Sequence, residues 1–108
     1  MEHFYYRLNA PRSTFPGDMS DMEAVAMRAH AEYWMALMKQ GLVIALGPVA
    51  DPTGVFGVAL FRAENADAAK EIAAHDPVLG TGLGFSFALF PMLSIVLPEH
   101  FEAGRLAA

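Results

Sequence analysis

Residues 20–41, SDMEAVAMRAHAEYWMALMKQG, decide the fold, because they specify one long helix that the flanking segments must accommodate. Ser20-Asp21-Met22-Glu23 is a capping box: the Ser20 hydroxyl can accept from the amide of Glu23 while the Glu23 side chain reaches back to the amide of Ser20. The helix is expected to run to about Gln40, where Gly41 supplies a left-handed stop. At ~100° per residue, Met22, Ala26, Met27, Tyr33, Trp34 and Leu37 fall on one side, and Arg28, Glu32 and Lys39 on the other. His30 projects near the middle of the apolar side. An imidazole there loses water, so its ring nitrogens need polar partners inside the fold or in a cleft that the fold lines.

On the N-terminal side, His3 to Leu8 reads as a strand, with Phe4, Tyr6 and Leu8 on one face and His3, Tyr5 and Arg7 on the other. A loop from Ala10 to Met19, broken by Pro11, Pro16 and Gly17, leads into the helix. On the C-terminal side, Leu42 to Leu46 and Gly54 to Phe61 are apolar strands. The turn Asp51-Pro52-Thr53-Gly54 joins them into a hairpin. Asn65 caps a second helix that extends through Ala74, Asp67 sits favourably in its first turn, and Asp76-Pro77 enforces its end. After the Gly-rich passage Gly80 to Gly84, Phe85 to Leu97 is expected as a long strand, with Pro91 at a bulge or an edge.

The order β-α-β-β-α-β is the split plan of ferredoxin-like α+β folds: a four-stranded antiparallel sheet with two helices on one face. Val55, Gly57, Ala59 and Phe61 alternate with Phe56, Val58 and Leu60, and Leu42, Ile44 and Leu46 with Val43 and Ala45. Both faces of the hairpin therefore read as apolar. A half-exposed sheet would carry polar residues on one side. Two sheets packed face to face, helices outward, would cover that surface and make a homodimer, whereas no loop is long enough to cover it.

Composition points the same way. A chain of 108 residues is expected to form one domain, residues 1–108. With 55% hydrophobic and only 18% charged residues, it carries more apolar material than a small monomer easily hides. The net charge is −5 and the seven basic residues are scattered, which argues against nucleic acid as a partner. No cysteine is present, so disulfides, thiolate zinc sites and thiol nucleophiles are excluded, as suits a reducing compartment. Met1 to Leu8 lacks the basic end and apolar core of a signal peptide, and the apolar run from Phe85 is too short to cross a membrane. A cytoplasmic protein without a membrane partner is the expectation.

Asp76 is the most attractive partner for His30, since the two helices of such a unit lie side by side on the sheet. A carboxylate beside a buried imidazole fixes its tautomer and favours its protonated form, which suits general acid or base chemistry. The competing reading is a structural His held by its neighbours. His75 reads as a helix C-terminal histidine interacting with terminal carbonyls. A metal site of His30, His75 and Asp76 lacks any close-set ligand motif, and no metal or other cofactor is expected. Tyr33 and Trp34 either line a cleft or fill the core. Gly80-Thr81-Gly82-Leu83-Gly84 precedes a strand and has no lysine, so it is a connector and not a phosphate loop. No Ser stands in a nucleophile elbow.

The set His30, Tyr33-Trp34, Leu37, Gly41, Gly47-Pro48, Asp51-Pro52 with Gly54 and Gly57, then Asp76-Pro77 and Gly82, resembles the pattern of YCII-related (YciI-like) proteins from Phe4 to about Leu97. The resemblance implies a ferredoxin-like domain that pairs into a dimeric α+β barrel, with a cleft around a His and an Asp corresponding to His30 and Asp76. It brings into view dehalogenating hydrolysis of a chlorinated hydroxyhydroquinone, lactone isomerisation and small monooxygenases, and so implies a kind of site without fixing a substrate. Two functions stand open. One is an enzyme using His30 as acid or base with Asp76 as its orienting carboxylate, acting on a small organic molecule, aromatic ones included, that Arg12, Ser13 and Tyr33 position. The other is a non-catalytic ligand-binding or accessory dimer in which the pair is a clamp. The loop carrying Arg12 and Ser13 either covers the cleft or is a surface excursion.

Overall fold

The computed structural model describes residues 1–101; the last seven residues of the expected 1–108 domain lie outside the described residues. Four strands, β1 (Glu2–Asn9), β2 (Val43–Val49), β3 (Phe56–Ala63) and β4 (Ser86–Pro91), and two helices, α1 (Asp21–Lys39) and α2 (Ala66–Ala74), follow in the order β1-α1-β2-β3-α2-β4. The sheet is antiparallel with strand order β2-β3-β1-β4, a ferredoxin-like α+β fold.

Local chemistry starts and stops both helices. The Ser20 hydroxyl accepts from the Glu23 amide at 3.1 Å and Glu23 accepts from the Ser20 amide at 2.9 Å, so the capping box is complete. Asn65 caps α2 by accepting from the Ala68 amide at 2.8 Å. Gly41 takes φ +82° just past α1, the left-handed conformation that lets the chain turn away into β2.

The core lies between the helices and one sheet face. Phe4, Tyr6 and Leu8 of β1 point into it beside Ala59, Phe61 and Ala63 of β3, and Trp34 of α1 and Ala69 and Ala73 of α2 close it from above. Met22, assigned to the buried side of α1, is 69% exposed, while Glu23 is only 5% exposed. Burial of Glu23 is possible because Arg12 pairs with it through both carboxylate oxygens.

Three sequence expectations need correction. The last strand ends at Pro91 and not at Leu97: Pro91 pairs with Phe4 at the sheet edge, and only the Met92 amide, bonded to the His3 carbonyl at 2.9 Å, continues the ladder. Next, β2 continues to Val49 through Pro48, which an edge strand tolerates, and a bulge between Val43 and Ala45 breaks the alternation read for Leu42 to Leu46. Val43 and Leu46 consequently share the helix-facing side. Finally, the outer sheet face is mixed and not apolar throughout. Tyr5, Val58 and Leu60 occupy its middle together with Arg7, which pairs with Val58, while His3 opposes Arg62 near one end and Asn9 is flanked by Phe56 and Ser86 near the other.

Candidate functional site

The chain places Asp76 by ending α2. After the cap at His75, Asp76 turns the backbone into the short 3-10 segment Pro77–Thr81, and its Oδ1 accepts from the Val78 amide at 3.1 Å. One carboxylate oxygen therefore builds the turn. The other, Oδ2, faces the core and receives three donors: Tyr6 OH at 2.8 Å, Trp34 Nε1 at 2.7 Å and His30 Nδ1 at 2.5 Å. His30 and Trp34 are one helical turn apart on α1, so both reach the same point. Tyr6 comes up from β1, in the sheet below.

Asp76 is 2% exposed. Burial by itself pushes its carboxyl upward, but the hydrogen bonds from His30 and Trp34, with the charge of His30, outweigh burial and hold it below the usual carboxylate range. It is thus an anion in a dry setting. The same anion, after burial, holds the Tyr6 and Tyr33 phenols above their ordinary values. Because an ionised carboxylate can only accept, the His30 nitrogen that faces it carries a proton, so that in the neutral form of the ring Nδ1 is the donor and Nε2 has the lone pair.

His30 stands at a boundary. Behind it is Asp76; in front is a cavity of about 340 Å³ whose wall includes His30, Met27, Ala31 and Trp34 of α1. The hairpin supplies Leu46, Pro48 and Gly57, the loop before α1 supplies Phe15, Pro16 and Met19, and Phe85 lies across from Phe15 with ring centroids 5.4 Å apart. The wall is apolar apart from the imidazole, the Tyr6 phenol and the edge of Trp34. This arrangement can seat a compact, largely apolar molecule against a nitrogen base whose conjugate acid a buried carboxylate would stabilise.

The other candidate residues do not converge there. The Tyr33 hydroxyl donates to the Ile72 carbonyl at 2.7 Å, tying α1 to α2, and Tyr33 is not part of the cavity wall. Arg12 spends its guanidinium on Glu23, at 2.7 and 2.8 Å, and on Asp18, at 2.9 Å. Hydrogen bonds from Arg12 are the main reason that Glu23 and Asp18 are each held down to about 2. Arg12 and Ser13 border a separate recess beside Arg7, Asn9 and Thr53. The loop does form part of the cavity wall, but through Phe15, Pro16 and Met19. His75 is exposed with its Nδ1 at the Glu71 carbonyl, 2.6 Å away, and among the described residues no three His, Asp or Glu side chains are grouped to hold a metal ion.

Sequence reasoning missed Tyr6 and Trp34 as partners of Asp76. A signal was available: a phenol on the same strand face as Phe4 and Leu8, and an indole on the face of His30, each carry a polar hydrogen into the core that must find an acceptor. Among the described residues no helix is long and apolar enough to cross a membrane. A family model, that of the YCII-related domain, matches residues 1–93. No curated protein matches the chain.

Proposed function

The chain belongs to the YCII-related family, and we propose that it is an acid-base enzyme acting on a small, mostly apolar organic molecule, aromatic rings included. The observation that carries this is the position of one imidazole: His30 Nδ1 lies 2.5 Å from Asp76 while the same side chain borders the cavity. In this reading Nε2 takes a proton from the substrate, Asp76 stabilises the imidazolium, and the proton is returned to the product. Phe15, Trp34 and Phe85 give a planar substrate its apolar contacts. The working unit is a homodimer in the cytoplasm, joined through Tyr5, Val58 and Leu60 at the middle of the outer sheet face.

A second reading has one specific observation in its favour. Asp76 joins α1, β1 and the end of α2 through four donors whether or not a ligand is present, as a structural clamp would. The two readings separate on the free ring nitrogen. Nitrogen-15 NMR of the imidazole should find the proton on Nδ1, and adding a phenol series should shift Nε2. Gly57→Val should fill the cavity without breaking β3, since a Cβ at Gly57 meets only the Leu8 Cβ at 3.4 Å, and should abolish that shift. His30→Asn should retain phenol binding and lose any turnover. A proton found on Nε2, or phenol binding unaltered in Gly57→Val, would leave only the clamp.

A further inference from the structure

The four donors to Asp76 are divided unevenly between its two oxygens. Among the described residues Oδ1 accepts only from the Val78 amide, at 3.1 Å, whereas Tyr6 OH at 2.8 Å, Trp34 Nε1 at 2.7 Å and His30 Nδ1 at 2.5 Å all converge on Oδ2. A carboxylate oxygen has two lone pairs, so three donors must share them, and each bond is weaker for the presence of the other two. The three donors differ in one respect. Tyr6 and Trp34 are neutral and stay as they are, but the bond from His30 strengthens when the ring takes up a second proton at Nε2 and weakens when it gives that proton back.

The Tyr6 hydroxyl is aimed by the fold and not by a ligand. β1 is an interior strand, in which Tyr6 pairs with Ala59 of β3 on one side and Leu89 of β4 on the other. Its ring is 1% exposed and packs on Trp34, with centroids 4.6 Å apart, and on Phe87, at 5.8 Å. Burial, and then the charge of Asp76, hold the phenol above its ordinary value, so it remains a donor. His30 and Tyr6 are the titratable members of the cavity wall; the loop before α1 brings Phe15, Pro16 and Met19 to it, and the hairpin brings apolar residues. Tyr33, whose phenol also feels Asp76, gives its hydroxyl to the Ile72 carbonyl.

We infer that Tyr6 is a positioning residue that sets the basicity of His30: by donating to the oxygen that His30 Nδ1 faces, it loosens the hold of Asp76 on the imidazolium, so that the ring can release the proton it takes. The inference rests on the reading of His30 as an acid-base group and goes beyond it, because returning a proton to the product requires an imidazolium that is not held too tightly. The physical cause is direct. A dipole whose positive end points at Oδ2 also points toward the Nδ1 proton on that oxygen, and so opposes the charge of the imidazolium. Trp34 acts in the same sense from α1, but its indole is also a large part of the core, which makes Tyr6 the cleaner residue to replace.

The test follows the nitrogen-15 shift of His30 Nε2 against pH in the whole chain. Tyr6→Phe keeps the ring and removes the donor, so the imidazole should hold its proton about threefold to tenfold more tightly, with a titration midpoint higher by about 0.5–1 pH unit. 3-Fluorotyrosine introduced at Tyr6 is a stronger donor of nearly the same shape and should move the midpoint downward. Opposite displacements are not expected of a residue that only packs. A midpoint in Tyr6→Phe at or below that of the wild type, a fluorotyrosine protein whose midpoint does not fall, or displacement of both in one direction would overturn the inference; should Tyr6→Phe fail to fold, the fluorotyrosine protein decides alone. Phenol added to each protein separates this from the ligand site. A phenol response at Nε2 with unmoved midpoints would defeat the tuning and leave the ligand site, whereas midpoints displaced as expected with no phenol response would uphold the tuning and defeat the ligand site.

Discussion

Replacing Asp76 by Asn changes one atom and should destabilise the whole domain. The native carboxylate accepts from Val78 N–H, Trp34 Nε1, Tyr6 OH and His30 Nδ1. An Asn side chain offers one carbonyl oxygen in place of two carboxylate oxygens, and turns an NH₂ toward donors. Tyr6 can rotate its hydroxyl to accept from that NH₂, and His30, whose side chain is 17% exposed, can find water. The Val78 amide and the Trp34 indole are fixed, so at least one of them loses its acceptor. Orphaning a buried donor costs about 1–3 kcal/mol, and the bonds that remain lose their charge assistance, giving ~2–5 kcal/mol in total. Against the ~5–15 kcal/mol of an ordinary domain the variant still folds. Urea unfolding followed by far-UV circular dichroism and by emission of Trp34, the single tryptophan, should show a midpoint lower by about 1–2 M with an unchanged slope. The acid limb supplies an independent reading. The native carboxyl is held below its ordinary 3.8, so the unfolded chain binds its proton first, and wild-type stability falls as pH drops below about 4 toward the native value. The Asn variant should lack that part of the fall. A loss under ~0.5 kcal/mol with an unaltered acid limb would refute the claim that Asp76 holds the site together.

Tyr33→Phe should cost about 0.5–1.5 kcal/mol by freeing the Ile72 carbonyl and leave the affinity of cavity ligands unchanged; tenfold weaker binding would return Tyr33 to the site. Arg12→Met should leave the Glu23 carboxylate buried without its partner, so that its pKa rises from about 2 and acid unfolding begins at a higher pH than in the wild type. Hydrogen exchange at Phe15 and Met19 should accelerate in the same variant, and protection equal to wild type would show that the loop is held by its apolar contacts alone. Leu60→Asp on the outer sheet face should give a folded monomer by sedimentation, and a wild type that already sediments as a monomer at micromolar concentration would remove the dimer proposal.

The parts of the fold that were legible are those fixed by neighbours in sequence. The capping box at Ser20, the Asn65 cap, the stop at Gly41 and the alternation of Phe4, Tyr6 and Leu8 all operate within a few residues and need no knowledge of the rest of the chain. What went astray depended on pairing between distant strands. The bulge at Val43 and Ala45 is set by how β2 docks on β3, and it reverses which residues of β2 face the helices. The length of β4 is set by β1, which is already paired along its other edge with β3 and offers β4 partners only from Phe4 to Asn9. An apolar run such as Phe85 to Leu97 cannot reveal where its partner stops.

The same division runs through the site. His30 announced that a polar group must wait for it, and Asp76, 46 positions away, was legible because Pro77 fixes where α2 ends and so where that carboxylate stands. Arg12 was misleading for a reason that is physical and not statistical. An arginine in a loop beside a cleft looks available until its acids are counted: Glu23 reads from the sequence as a capping-box residue with that local duty alone, and Asp18, which accepts from both Arg12 and Thr14, carries no pattern that marks it as a partner. Carboxylates have more than one lone pair to give. Glu23 accepts from the Ser20 amide with Oε1 and still holds both Nη atoms of Arg12, and Asp76 caps a turn with one oxygen and gathers three side chains with the other. A carboxylate that serves local structure is therefore not excluded from long-range structure. In this chain the cap residues Glu23 and Asp76 are also the groups that position the cavity wall, the first through Arg12 and the Phe15 loop, the second through His30 and Trp34. Substitutions aimed at helix capping should for that reason alter ligand binding as well as stability, and the two effects should move together at Glu23 and Asp76 but not at Asn65, whose cap touches no part of the cavity.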